Sequence, residues 1–271
     1  MKLIRLATVT VLTTTILAGG SVGVFADEAP SLETRNVTSG GQVEFTPSDN
    51  DELEVLPPEQ GPDAPDVDIQ PEIPGTTGPL SIVNVAHMNF GSQVISNQDK
   101  TYNMVAEMQP LRETGEMVPY VSFAQVQDVR GTNAGWDLQV SMSDFTSNTQ
   151  NSVLTGAEIE FVDSRIEYGG INQNNAPSNH EAGLVLRPNS AGISVMKAEM
   201  GEGAGASSVV WGDQASLNAQ FADEEIEVVE NDMIRLSIPG STAKDATTYT
   251  STLSWELTST PGSDVELESA M

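Results

Sequence analysis

Two stretches of this chain alternate apolar and polar residues with a period of two. In the first, Trp136, Leu138, Val140 and Met142 fall on one side, with Asp137, Gln139 and Ser141 on the other. In the second, Tyr249, Leu253, Trp255 and Leu257 oppose Thr250, Thr252, Ser254, Glu256 and Thr258. Successive side chains of an extended strand point to opposite faces, so each stretch predicts a β-strand with one face turned to a core. The chain has three tryptophans, and two stand in the same local frame, Trp-Asp-Leu and Trp-Glu-Leu. Further β-leaning runs cover 80–90, 101–108, 120–129, 157–163, 184–186, 193–197, 217–221, 226–229 and 234–238. Breakers such as Asn97-Gln98-Asp99, Gly169-Gly170, Pro188-Asn189 and Pro239-Gly240 separate them. No segment carries a 3.6-residue apolar stripe. Short strands with turn chemistry between them predict an all-β fold, a single antiparallel β-sandwich, Ig-like or related.

The ends read differently. Residues 1–26 have a basic start at Lys2 and Arg5, an apolar run diluted by threonine, and Val24-Phe25-Ala26, the pattern of a secretory signal peptide. The apolar run is too short for the ~20 residues that a membrane span needs. Residues 27–79 hold nine of the 15 prolines and 13 of the 39 acidic residues. They predict an acidic, Pro-rich loop or linker, extended and self-repelling, with one possible first strand at 41–46. The β domain then spans 80–261 and a tail 262–271. Cysteine is absent, so neither a disulfide framework nor a thiolate metal site supports the exported domain, which must live on its apolar core.

Charge narrows the function. The formal net charge is −28 with only 11 basic residues, scattered along the chain, which argues against nucleic acid and against direct membrane insertion or anionic lipid. Catalytic patterns are weak. The only Gly-x-Ser-x-Gly lies at 19–23, inside the signal; of the two histidines, His87 reads as a structural polar residue in a strand-like run and His180 as part of an open polar loop, so neither suggests a triad. Gly201-Glu202-Gly203-Ala204-Gly205-Ala206 resembles a dinucleotide fingerprint, but Ser207 to Trp211 after it are strand-like, so it reads as a glycine-rich hairpin turn. Acidic runs at 49–54 and 223–225 lack the spacing of a dedicated calcium loop. The expectation is no enzyme, no cofactor and no metal. The paired Trp strands admit two readings: a core, each indole burying ~150–250 Å², or an exposed platform for a sugar ring with Asp137 or Glu256 accepting hydroxyls.

These motifs resemble the WxL-domain surface proteins of low-GC Gram-positive bacteria. The resemblance is carried by Gly135-Trp136-Asp137-Leu138, by the run from Tyr249 to Leu257 with Pro261 beyond it, by Thr77 to Ile82, and by Phe90-Gly91. It implies a secreted protein at the cell wall and cell surface, attached non-covalently to peptidoglycan. Trp136, Asp137, Leu138, Tyr249, Trp255, Glu256 and Leu257 are then the wall-binding motif residues. It further implies other cell-surface proteins as partners, among them a membrane-tethered companion. The alternative is a structural subunit of a surface complex, held by that companion, with its Trp motifs in core or protein interface.

Overall fold

The computed structural model describes residues 36–48, 55–62 and 64–259. The signal at 1–26, the acidic run at 49–54 and the tail at 262–271 lie outside the described residues. The chain divides into units at 1–44 and 45–271. The alternation at 41–46 forms no strand, and its apolar residues Val43 and Phe45 are exposed, against the expectation of a first strand there. Six alternating residues have no fixed face without a partner strand to bury it.

Strands dominate the rest. The first six are β1 (Leu80–Asn84), β2 (Lys100–Val105), β3 (Glu107–Pro110), β4 (Met117–Tyr120), β5 (Ser122–Asp128) and β6 (Trp136–Met142). Next come β7 (Glu158–Phe161), β8 (Arg165–Tyr168), β9 (Ser178–Asn179), β10 (Leu184–Leu186) and β11 (Ile193–Ala198). The last are β12 (Gly205–Trp211), β13 (Glu230–Ile238) and β14 (Leu253–Ser259). They form three four-stranded sheets, β1-β5-β12-β8, β10-β7-β13-β2 and β14-β6-β11-β9, plus the hairpin β3-β4, with every paired strand antiparallel. The fold is an all-β antiparallel sandwich.

Inner faces of the three sheets enclose the main core, with Trp136, Leu138, Ile159, Phe161, Val209, Trp211 and Ile234 fully buried in it. A second core lies on the far side of β5 and β12. Ala124, Val126, Val209 and Trp211 point into the first, whereas Phe123 and Val210 point into the second, beside Val67, Tyr120, Val121 and Leu217. A sheet covered on both faces loses the polar alternation of an exposed one, as β5 does: six of its seven residues are buried.

The cover on that second face comes from the acidic, Pro-rich segment. Val67 is fully buried and Ile69 nearly so, and Val67 bridges to Leu111. Asp68 N donates to Pro110 O at 2.9 Å and Arg112 N to Asp66 O at 2.9 Å. The buried Gln125 side chain brackets Leu56, accepting from its N at 3.0 Å and donating to its O at 2.8 Å, so an amide side chain stands in for a neighbouring strand. Arg165 pairs with Glu59, and Arg112 with Asp66 at 3.1 Å. From residue 55 the segment is a lid on the domain, not a free tether.

Two local expectations change. The run at 217–221 lies in a helix, α1 (Gln214–Ala222). Asp213 caps it, its carboxylate accepting from Ser216 N at 2.7 Å, and three alanines supply helix propensity that outweighs the apparent strand pattern. The run at 226–229 forms no strand. Val67→Ala is expected to lower unfolding free energy by roughly 1–3 kcal/mol in urea melts, the scale for losing a buried aliphatic side chain; Val43→Ala, at an exposed site, should leave it unchanged.

Candidate functional site

The two Trp-x-Leu triplets come together on neighbouring strands. β14 runs antiparallel to β6 with Trp255 opposite Val140, Leu257 opposite Leu138 and Ser259 opposite Trp136. Residues directly opposite share a face, so Trp136, Leu138, Val140, Trp255 and Leu257 all turn inward, while Asp137, Gln139, Ser141, Ser254, Glu256 and Thr258 turn outward. Trp136 is 0% exposed and Leu138 likewise, whereas Trp255 and Leu257 are half-buried on the edge strand. Neither Trp136 nor Leu138 presents surface to a ligand.

Local chemistry seats Trp136. Arg130 grips Asp128 through two hydrogen bonds, Nε to Oδ1 at 2.9 Å and Nη2 to Oδ2 at 2.7 Å, and donates also to Gly135 O at 2.8 Å. Gly135 takes φ +79°, a left-handed conformation that turns the chain into β6. The indole N–H donates to Gly203 O at 3.2 Å. A Cβ on Gly203 would stand 2.7 Å from Trp136 Nε1 and 2.6 Å from Ala198 Cβ, and its φ is +68°. The glycine-rich stretch is therefore not a hairpin turn. It carries the chain from β11 in one sheet to β12 in another and closes over Trp136 as it goes.

Trp211, the third tryptophan, centres an aromatic cluster that sequence reasoning missed. Its ring lies 6.4 Å from Trp255, 5.0 Å from Phe161 and 6.1 Å from His180. His180 is buried there and not in an open polar loop. It accepts the Trp211 indole N–H at Nε2 (2.9 Å), and its Nδ1 lies 2.8 Å from Glu181 O, so Nδ1 carries the proton and the ring is neutral; burial lowers its pKa. Period-two alternation gave no hint of this cluster, because Phe161, His180, Trp211 and Trp255 lie in separate sequence segments.

On the outer face Asp137 is held by Ser194 Oγ at 2.5 Å and Gln139 Nε2 at 2.6 Å, and Glu256 is exposed. Tyr249 lies apart from both triplets, beside the turn that leads into β14. Its hydroxyl accepts from Asp245 N at 3.0 Å and donates to Asn151 O at 2.7 Å.

Tyr249 forms one wall of a groove of about 1140 Å³ at the mouth of the sandwich. Segments 87–95 and 244–253 face each other across it, and Ile159, Leu236 and Ile238 lie at its floor. At one end His87 Nδ1 sits 3.2 Å from Glu72, and His87 N donates to Glu107 Oε1 at 3.1 Å. Burial pushes the Glu107 carboxyl up to about 7, with the Glu72 charge adding to it and hydrogen bonds from Ser122 and His87 opposing it. Among the described residues no group of three His, Asp or Glu side chains is arranged to hold a metal ion, and no helix is long and apolar enough to cross a membrane.

Comparison with known proteins gives one family. The family model described as "WxL domain surface cell wall-binding" matches residues 32–261. No curated protein and no solved structure matches the chain.

Trp136→Ala is expected to cost roughly 3–5 kcal/mol in denaturant melts, and Trp255→Ala distinctly less, since only the first indole is fully enclosed. Acrylamide should quench Trp255 and leave Trp136 and Trp211 protected. The raised Glu107 pKa gives folding a pH dependence: its contribution is complete below about 4.5 and is lost as pH rises through 7. The loss of melting temperature between pH 5.5 and 8.5 should therefore be smaller in Glu107→Gln than in the wild type.

Proposed function

Since this chain belongs to the WxL family of surface cell wall-binding domains, we propose that it is a non-catalytic protein, exported through the 1–26 signal and attached non-covalently to peptidoglycan. The family match over 32–261 carries the reading. On this reading the motif's labour is divided. Trp136 and Leu138 act from inside, fixing the ribbon, while Asp137, Glu256 and Tyr249 and the edge of Trp255 are the members left facing solvent or the groove. Strong acidity supports attachment by hydrogen bonding, apolar contact or bridging cations, because a chain of net charge −28 is repelled by an anionic wall at long range.

A second reading rests on the edge position of β14, which pairs with β6 alone. Its free main-chain groups and half-buried Trp255 suit strand addition by another surface protein, such as a membrane-tethered companion. In that case the chain is a structural subunit, held at the surface by its partner.

Incubation of the purified protein with purified sacculi, then centrifugation, separates the two. Direct attachment predicts that the protein pellets alone, and that retention rises with calcium or on acidification toward pH 4 as carboxylates are neutralised. Protein that stays in the supernatant under all salt, calcium and pH conditions removes direct wall binding. Retention that weakens steadily on acidification removes the electrostatic account.

A further inference from the structure

We propose that the groove beside β14 is the subsite for the neutral glycan backbone of the wall, taking N-acetylated hexosamine units. The proposal rests on the wall-attachment reading and gives it an address that is not the Trp face.

Three features of the groove point to such a ligand. The first is the state of its charges. Lys244 Nζ donates to Ser96 O at 3.3 Å, Pro239 O at 3.0 Å and Thr242 O at 2.9 Å, which uses all three ammonium protons on backbone. Asp245 accepts from Asn151 N at 2.8 Å and Asn151 Nδ2 at 2.7 Å, and these bonds hold its carboxyl below the usual range. His87 is turned to Glu72. Each charged group at the groove is thus engaged within the protein, and an ionic ligand finds no free counter-charge there.

The second feature is what remains. Ser92, Tyr102, Thr247 and Thr248 line the groove, and their hydroxyls make no hydrogen bond among the described residues. Asn89, also on the groove lining, spends its Oδ1 on Gly91 N at 2.9 Å, and its amide N–H groups make no hydrogen bond among the described residues. Below them the floor of Ile159, Leu236 and Ile238 is wholly apolar. Neutral donors and acceptors over an apolar floor complement a pyranose ring, which has an apolar C–H face, a hydroxyl edge and, in an N-acetylated sugar, an amide and a methyl group.

The third is size and position. A groove of about 1140 Å³ exceeds the ~300–1,000 Å³ of ordinary small-molecule pockets and suits an extended chain of several rings. Phe90-Gly91 and the stretch from Tyr249 to Leu253 supply its facing sides. The distal motif thus reaches the groove through its first half and the core through Trp255.

The test uses 15N-labelled protein, titrated with chitotetraose and, in a separate arm, with free stem peptide lacking sugar. Saturable amide shifts at 89–95 and 245–251 with chitotetraose, and none with the peptide, are expected. Thr248→Trp, a substitution at an exposed position that fills the groove mouth, should weaken chitotetraose binding by at least about tenfold, with an unchanged melting temperature; Tyr102→Phe, which removes one hydroxyl, should weaken it less. Absence of saturable shifts, shifts confined to the outer face of β6 and β14, or shifts with the stem peptide alone would overturn the proposal. The sacculus assay keeps the two readings apart. Wild type and Thr248→Trp pelleting equally removes the groove and leaves wall attachment standing, whereas wild type that does not pellet removes attachment itself.

Discussion

The register of β14 on β6 governs the rest of the molecule. Seven residue pairs, from Leu253–Met142 to Ser259–Trp136, place every indole and leucine of the two triplets on one face. A slip of β14 by one residue would turn Trp255 and Leu257 to water and bring Glu256 inside, where an unpaired carboxylate is costly. The large buried volume of Trp136 and its bond to Gly203 hold the register from within. The Trp-x-Leu signature is in this sense an inward-facing code, and the outer surface inherits its arrangement from it.

Scarce positive charge is spent on architecture. Arg130 anchors the turn before β6, Arg165 and Arg112 clasp the acidic segment, and Lys244 gathers three carbonyls beside the groove. Exposed ion pairs contribute little stability each. Their value here is geometric, since each fixes a segment that has few apolar residues of its own. The result is a surface whose remaining formal charge is overwhelmingly negative and whose concave region is neutral.

Strand placement was readable because period-two alternation survives wherever one face is wet, as in β6 and β14. The membership of the second core was not. β5 and β12 are buried on both sides, and their cover comes from a segment whose composition reads as a linker: Val55, Val67 and Ile69 stand in short stretches broken by prolines and carboxylates, too brief to announce an element. α1 was hidden by a short run that fits either element, although Asp213 and the alanines around Leu217 were signals at hand. The burial of Trp136 and the aromatic nest of Trp211, Phe161 and His180 depend on sheets meeting in space, which local pattern does not encode. Tyr249 was legible as a motif residue. Its neighbourhood with Phe90 across a groove was not, because more than a hundred and fifty residues of chain separate them.

The position of β14 in the chain also sets the order in which the molecule can be completed. Its partner β6 emerges during synthesis long before it, and the loop that must close between Met142 and Leu253 spans over a hundred residues. Pairing at that distance carries a large closure entropy and belongs to the slow end of folding. Until β14 arrives, the apolar side of β6 lacks its last neighbour, and the sandwich stays incomplete along that edge. Final locking is then deferred to the moment when β14 emerges.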